Sequence, residues 1–324
     1  MAKIGVFINL PENHRESGNR KRAIEDILYP PTHHCVYAFG EAMNNTYQDK
    51  ANYLVGQNQD ADVFIGTCWP TTHALLNAPG LNKPVVFSGL TTSPNTIFTP
   101  SIGIKSFDPD YLCPIWPALL KAIAPPSLTK VAVIYDMNTA DRPGMAYQYQ
   151  KIYDNRLGFD LTPIRADGDA TPTNPTPPNP NIAGDITTFL QGVGNNPAGL
   201  IVTAGTRTTM LRDAIVAAVD IRNTTSPNKL FAIYPADFYM DTAGALLAYG
   251  PRIRNLYTDV INSYVMPIIK NQRPPSTSTN SPSNFQLTVS RRAAGSVNIN
   301  DIPGQLIITL NNNQTLMLET NPVA

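Results

Sequence analysis

The sequence has few charged residues, and the two signs balance. Lys and Arg number 24, Asp and Glu also number 24, and charged residues make up 15% of the 324 positions, against about 25% in an average globular domain. A chain without excess positive charge has no electrostatic footprint for nucleic acid or for an anionic membrane surface. We therefore expect no nucleic-acid partner, and the neutral polar surface is typical of an exported protein.

Cysteine is also scarce. Cys35, Cys68 and Cys113 are too few and too scattered for a disulfide framework, and their odd number leaves at least one free thiol. We expect all three to behave as small buried apolar residues. His33-His34-Cys35 has no second ligand pair at zinc spacing, so neither a metal nor a cofactor is expected.

Long apolar runs are absent: none approaches the ~20 residues of a membrane span. The start, MAKIGVFINL, lacks the order of charged region, apolar region and cleavage site that defines a signal peptide. Two interpretations stay open. If a leader was removed, we expect a periplasmic or lipid-anchored extracytoplasmic protein; if the natural gene has none, a cytoplasmic one.

Common enzyme signatures are missing too. The sequence contains neither the phosphate-binding pattern G-x-x-x-x-G-K-[ST] nor the nucleophile pattern G-x-S-x-G. One enzymatic alternative remains, because Gly66-Thr67-Cys68 resembles the first half of a cofactor-independent amino-acid racemase. Its counterpart, 203–206, contains no cysteine, so the two-thiol mechanism of that family lacks its second thiol.

Short apolar, β-branched runs alternate with helical stretches along most of the chain. Residues 206–222 and 253–269 carry apolar side chains at helical spacing, and Pro267 is expected to loosen the end of the second helix. Such alternation predicts an α/β protein whose parallel sheets are buried on both faces. The runs that predict strands are KIGVFI (3–8), DVFIGT (62–67), PVVFSG (84–89), KVAVIYD (130–136), AGLIVTAG (198–205) and LFAIY (230–234).

The stretch LFAIYPADFYMDTAGALLAYG (230–250) contains two apolar runs separated by a short polar turn. Because a parallel crossover usually needs a dozen or more residues, this spacing predicts that the chain leaves one domain here and enters another. A further border is predicted at FDPDYLCPIWP (107–117), where the chain is rich in proline and aromatic residues. The polar segments TPTNPTPPNP (171–180) and STSTNSPSN (276–284) are predicted surface loops.

Small polar residues follow several predicted strands. Parallel strands bind ligands at their carboxyl ends, where loops meet helix N-termini, so these residues are candidates for a ligand site. The alternative for each one is a helix cap. The candidates at strand ends are Thr67, Ser88, Thr91, Asp136, Asn138, Thr203 and Thr206.

Aromatic and acidic residues near two strand ends extend this candidate site. Trp69 could stack on a flat or apolar ligand, or cover the structure beneath it. Tyr234 and Phe238 could supply further ligand wall, or could be ordinary core residues. Asp237 could pair with an ammonium group or cap the segment that follows it.

The stretch 230–275 resembles the substrate-binding proteins of ABC transporters, in the branch that includes tryptophan- and tyrosine-binding lipoproteins. It has a strand, a short acidic turn, Gly244-Ala245-Leu246, Tyr249-Gly250, and a long helix that ends near Pro274. Other runs follow the order of this family, so the resemblance covers about residues 3 to 303. The tail GQLIITLNNNQTLML (304–318) departs from it and predicts a β-hairpin.

The resemblance implies the type I periplasmic binding protein fold: two Rossmann-like α/β lobes with parallel sheets, joined by hinge crossings. The implied N-terminal lobe is 1–108 with about 240–275; the C-terminal lobe is 109–239 with about 276–303, followed by the extension 304–324. The implied crossings lie near 107–111, 235–240 and 275–285.

The resemblance also implies a function. A receptor of this kind is not an enzyme; it closes by hinge motion on a small polar ligand, with an amino acid, including an aromatic one, as first candidate. The implied partner is the membrane permease of an ABC transporter, and a monomer is expected. The alternative from another class is a cytosolic ligand-sensing protein of the same fold. The ligand-facing positions that the resemblance implies are Thr67, Ser88, Thr91, Asp136, Asn138, Thr203, Thr206 and Asp237.

Overall fold

A computed structural model describes residues 1–28, 33–40, 47–89, 101–104, 109–136, 142–167, 178–241, 245–272, 279–280, 284–290 and 315–321. The chain divides into two compact units. Unit 1 consists of Met1–Asp108, Thr139–Asp141 and Ile253–Ser283, and unit 2 of Pro109–Asn138, Arg142–Arg252 and Asn284–Ala324.

Strands and helices alternate in both units. The strands are β1 Ala2–Ile8, β2 His33–Phe39, β3 Val63–Gly66, β4 Val85–Ser88, β5 Ile102–Ile104, β6 Lys130–Tyr135, β7 Asp160–Arg165, β8 Ala198–Val202, β9 Leu230–Tyr234, β10 Leu247–Pro251, β11 Thr279–Asn280, β12 Asn284–Ser290 and β13 Thr315–Asn321. The helices are α1 Arg15–Ile27, α2 Tyr47–Gln57, α3 Trp69–Leu76, α4 Pro109–Ile123, α5 Arg142–Asp154, α6 Ile182–Val193, α7 Thr206–Met210, α8 Arg212–Thr225, α9 Ile253–Val260 and α10 Met266–Ile269, with a 3-10 helix Asp237–Asp241 and a π-helical turn Ile261–Val265.

The first five strands of each sheet share one topology. The sheet of unit 1 has the order β11-β5-β4-β3-β1-β2, and all its pairs are parallel. The sheet of unit 2 has the order β13-β12-β10-β9-β8-β6-β7 and is parallel except where β10 meets β12. This confirms the predicted α/β class with two Rossmann-like sheets.

All six apolar runs that predicted strands form strands. β3, β4, β8 and β9 are buried along their whole length, as expected when helices cover both faces of a parallel sheet. Fully burying one Val, Leu or Ile side chain contributes about 1.5–3 kcal/mol, so these runs supply much of the stabilising free energy.

The structure corrects the prediction that the chain changes domain within 230–250. β9 and β10 are parallel neighbours in the sheet of unit 2, with Leu247 opposite Ile233. The connection between them, residues 235–246, contains the 3-10 helix and is about a dozen residues long, which is enough for a parallel crossover. The predicted crossing at 235–240 is therefore wrong, and the border between the units lies at Arg252 and Ile253.

Pro267 loosens the end of the helix 253–269, as the sequence predicts. Residues Ile261–Val265 form a π-helical turn just before it. Proline has no backbone N–H and its ring crowds the carbonyl four residues earlier, so a wider turn accommodates it without ending the helix.

The chain on both sides of residues 168–177 is held by a set of hydrogen bonds. The backbone N–H of Asn179 donates to Ala166 O at 2.8 Å, and the Asn179 side-chain amide donates to Arg165 O and to Asp185 Oδ2 at 2.9 and 2.7 Å. Arg165 donates to both carboxylate oxygens of Asp167 at 3.0 and 3.1 Å. The two ends of this segment are therefore fixed side by side; most of the predicted loop 171–180 lies outside the described residues.

Two features of the tail and the helices bear on earlier predictions. β13 pairs in parallel with β12, while residues 304–314, which include the first strand of the predicted hairpin, lie outside the described residues. Within the part of the chain that the structure describes, no helix has the length and apolar character needed to cross a membrane.

Candidate ligand-binding site

Each sheet has a point at which its strand order reverses, and polar residues follow the strands there. β1 lies between β2 and β3, and β6 lies between β7 and β8. Open α/β sheets bind ligands at the carboxyl ends of the strands at such switch points. Asn9 and Thr67 follow β1 and β3 in unit 1; Asp136 and Thr203 follow β6 and β8 in unit 2. Three of these four are predicted site residues, and Asn9 is an addition.

The two threonines make the same contacts in the two units. Thr67 Oγ1 lies 3.1 Å from Phe7 O, and Thr203 Oγ1 donates to Ile134 O at 3.1 Å. The backbone N–H of each threonine donates to the same carbonyl, at 3.1 and 3.0 Å. Both side chains are buried, so their hydroxyls stabilise the carboxyl ends of the strands through these contacts.

Unit 1 brings an arginine to its switch point. Arg20 on α1 donates from Nη1 to Asn9 Oδ1 at 2.5 Å. Asn9 Oδ1 also lies 3.1 Å from Thr67 Oγ1, which accepts from the Asn9 backbone N–H at 3.1 Å. A strand end, a helix and a second strand end are thereby linked by one buried polar network.

Sequence reasoning missed Arg20, although a signal exists. Ser17 and Arg20 lie on the buried stripe of α1, together with Ala23 and Ile24. The first helix of such a sheet begins at the carboxyl edge of the first strand. Polar residues on the buried stripe of that amphipathic helix are therefore candidates for a site at this edge. The same reasoning finds Asn9, the first polar residue after β1.

Ser88 and Tyr257 lie beside this network. Both are fully buried. Burial raises the pKa of Tyr257, while the nearby Arg20 guanidinium opposes that rise. α9, which carries Tyr257, packs against both α1 and β4, and the hydroxyl of Ser88, a predicted site residue, has no hydrogen-bond partner among the described residues.

Unit 2 has a different charge arrangement at its switch point. Arg207 Nη1 on α7 lies 3.5 Å from Asp136 Oδ2, and the Arg207 backbone N–H donates to that oxygen at 3.3 Å. Both residues are 0% exposed. A buried carboxylate needs a compensating charge, and Arg207 supplies one beside Asp136.

Other contacts in unit 2 hold the loop after β8. Gln148 donates from Nε2 to Ala204 O and accepts from Ala204 N–H, both at 3.0 Å. Thr208 and Thr209 donate to carbonyls of Thr203 and Gly205 at 2.9 and 2.7 Å. Thr206, a predicted site residue, begins α7 and is buried.

Trp69 stands at the start of α3 and is half-buried. Its indole stacks on the His73 ring, with centroids 4.8 Å apart and planes 6° from parallel. One face of the indole is thus covered by its own helix.

This contact leads to a prediction about pH. Burial lowers the pKa of His73 below its usual 6.5, so the unfolded chain binds a proton first as the pH falls. The contribution of His73 to stability should therefore be constant above about pH 6.5 and decline as the pH falls from there to the folded-state pKa. NMR titration of the ring protons, with the urea-unfolded protein as reference, would check this; a folded-state pKa at or above the unfolded one would contradict it.

Tyr234 and Phe238 both pack into an aromatic cluster of unit 2. Tyr239 stacks on Tyr234 at 4.9 Å and on Phe238 at 4.8 Å between ring centroids. All three are buried, and burial raises the pKa of Tyr234. Asp237, at the start of the 3-10 helix, is half-buried.

Two predicted site residues, Thr91 and Asn138, lie outside the described residues. Within the described ranges, no group of three or more His, Cys, Asp or Glu side chains is placed to hold a metal ion. Cys68 and Cys113 are buried free thiols as predicted, whereas Cys35 is only half-buried.

Neither a protein-family model nor a curated protein sequence matches the chain. Solved structures do match. The ABC domain in complex with L-Trp from Streptococcus pneumonia aligns with a TM-score of 0.69 and 14% identity, over 98% of this chain and 100% of that one. An ABC transporter solute-binding protein from Agrobacterium vitis bound with α-D-tagatopyranose aligns with a TM-score of 0.62 and 13% identity, over 89% and 94%.

Regulators share the architecture as well. A LacI transcriptional regulator from Lactobacillus brevis aligns with a TM-score of 0.62 and 11% identity, over 86% of this chain and 98% of that one. These likenesses, together with the two sheets, show that the chain has the type I periplasmic binding protein fold, as predicted. The fold is used by solute-binding proteins and by regulators.

Proposed function

We propose that the protein is a solute-binding receptor of an ABC importer, which binds one small polar ligand and closes on it by hinge motion. The observation that carries this proposal is the buried polar cluster at the switch point of each sheet, where α/β proteins bind ligands. Similar structures with L-Trp or a sugar bound support it. A membrane permease would be the partner, and the location would be extracytoplasmic.

The ligand we propose is an amino acid, and its ammonium group would pair with Asp237. Asp136 is a weaker candidate for that role because Arg207 already compensates its charge. Trp69 would contact the ligand side chain, whereas the packing of Tyr234 and Phe238 on Tyr239 favours a supporting role for both.

The proposed activity is binding and not catalysis. Thr67-Cys68 and Thr203-Ala204 follow equivalent strands of the two sheets. Ala204 thus occupies the position where a two-thiol racemase would need its second cysteine.

A second candidate function is a ligand-sensing regulator, which the match to a LacI regulator favours. The start of the natural gene distinguishes the two. A signal peptide or lipobox upstream of Lys3 would support the receptor, and a DNA-binding or other effector segment would support the regulator.

Native mass spectrometry of the purified protein tests the receptor directly, followed by thermal shifts against amino acids, nucleosides, small carboxylates and sugars. A ligand at 100 times its dissociation constant adds about 2.7 kcal/mol of stability. A co-purified small molecule, or one clear stabiliser, is the expected result. No bound mass and no shift across the panel would count against the proposal.

The amine role of Asp237 has its own test. Asp237→Ala should weaken binding of an amino-acid ligand about 10-fold or more, because a charge-assisted contact contributes about 1.5–3 kcal/mol. Asp154→Ala, at an exposed position on α5 of the same unit, is the matched control. Unchanged affinity in Asp237→Ala would remove this residue from the site.

A further inference from the structure

The two switch points differ in charge, although their strand ends are equivalent. Asp136 after β6 corresponds to Asn9 after β1, since each residue follows the first strand of its sheet. In unit 2 the arginine faces a carboxylate; in unit 1 the arginine faces a neutral amide oxygen. Two similar sheets therefore hold their arginines differently: Arg207 has an anionic partner in Asp136, and Arg20 has a neutral partner in Asn9.

Arg20 is deeply buried for a cation. It is 8% exposed, and among the described residues its side chain donates to Asn9 Oδ1. Its Nε is buried and has no hydrogen-bond partner among the described residues. None of the ion pairs between described residues includes Arg20.

The carboxylate one turn earlier on the same helix is engaged elsewhere. Glu16 Oε1 accepts from Asn19 Nδ2 at 2.8 Å. A buried guanidinium is costly when it has no anionic partner, and Arg20 has none among the described residues. Its planar donor fork matches a carboxylate better than any neutral group.

We propose that Arg20 is the group that binds the carboxylate of the ligand, so that the ligand is a small carboxylic acid and not a neutral sugar. This rests on the proposed function and deepens it. Asn9 holds the guanidinium through Nη1 and Thr67 contacts Asn9, and Nε is the donor from which a carboxylate oxygen of the ligand would accept.

The test compares acids with their amides on the unaltered protein. Thermal shift and calorimetric titration would use the L-amino acids, beginning with L-tryptophan, the carboxamide of each compound that binds, and the neutral sugars D-tagatose and D-allose. We expect an acid to bind and its amide to bind about 10- to 100-fold more weakly, the factor for a hydrogen bond to a charged group.

Variants then assign the effect to one residue. Arg20→Gln should reduce the affinity for the acid about 10- to 100-fold and leave the affinity for the amide unchanged, while Arg20→Lys should give an intermediate loss. Arg22→Gln, two residues away on the exposed face of α1, is the matched control and should bind like the unaltered protein. Circular dichroism establishes that each variant folds; because the acid–amide comparison needs no variant, a misfolded Arg20→Gln does not remove the test.

The failures of the two proposals are distinguishable. Tight binding of a sugar, or equal affinity for acid and amide, would overturn the role of Arg20 and leave the receptor intact. An acid whose affinity is the same in folded Arg20→Gln would do likewise. Absence of binding by every compound would overturn both.

Discussion

Replacing Asp136 by alanine is expected to lower the free energy of unfolding by about 3–5 kcal/mol. The reason is the charge left behind: Arg207 is 0% exposed, and removing one partner of a buried ion pair leaves the other uncompensated. The double variant Asp136→Ala/Arg207→Met removes both charges and should regain at least half of the loss, since a buried pair contributes little net stability compared with apolar residues.

Urea unfolding can follow this loss in unit 2 alone. The chain has 2 tryptophans, and Trp69 lies in unit 1 and Trp116 in unit 2, so a Trp69→Phe background leaves Trp116 as the only indole reporter. The control is Lys151→Ala, which removes the ion pair with Asp110 in the same unit. That pair is shorter, at 2.7 Å, but its side chains are 30% and 38% exposed, so little change is expected. A loss in Asp136→Ala no larger than in this control would show that other groups compensate Arg207.

Gly250→Ala is the second substitution with a large expected effect. A Cβ at this position would overlap the carbonyl oxygen of Pro235 and lie 2.9 Å from its carbon. Both atoms belong to the backbone where the chain leaves β9, so no side chain can move aside. We expect a loss of about 3 kcal/mol, at the upper end of the range for overpacked substitutions.

The same fluorescence measurement suits this variant, because Trp116 donates from Nε1 to Tyr249 O at 2.9 Å, next to the substituted residue. Gly192→Ala is the matched control in the same unit: its Cβ would meet nothing within 4 Å. There the only effect is the entropy of the unfolded chain, and a gain of about 0.5–1 kcal/mol is expected. Equal stability of the two variants would mean that the crossover 235–246 shifts without cost.

The sequence predicts the fold well where burial leaves one choice. Strands covered on both faces must be apolar throughout, so β3, β4, β8 and β9 stand out in the sequence. β2 and β7 lie at sheet edges and are only partly buried, so their mixed composition carries no clear strand signal. The prediction of a domain border within 230–250 was wrong because a 3-10 helix allows a compact crossover there. Hydrophobic periodicity does not reveal such a helix.

The candidate site could be predicted in position but not in charge. Thr67, Ser88, Asp136 and Thr203 can be found from the sequence because each stands where an apolar strand ends and polar residues begin. Their partners cannot: Arg207 reaches Asp136 across 71 positions of sequence, and Arg20 belongs to a helix that reads as structural. These contacts determine that Asp136 has a cationic partner and that Arg20 has no anionic one among the described residues. That difference distinguishes an acidic ligand from a neutral sugar.

The hydrogen bonds that join Ala166 to Asn179 have a consequence for how this protein can vary. Because the segment between them starts and ends at neighbouring, fixed atoms, its length is decoupled from the sheet of unit 2. Doubling the length of such a closed segment costs only about 0.6 kcal/mol. Evolution, or a protein engineer who wants to graft a reporter or an affinity tag, can therefore rewrite the proline-rich stretch while the strands and the switch point of this unit keep their geometry.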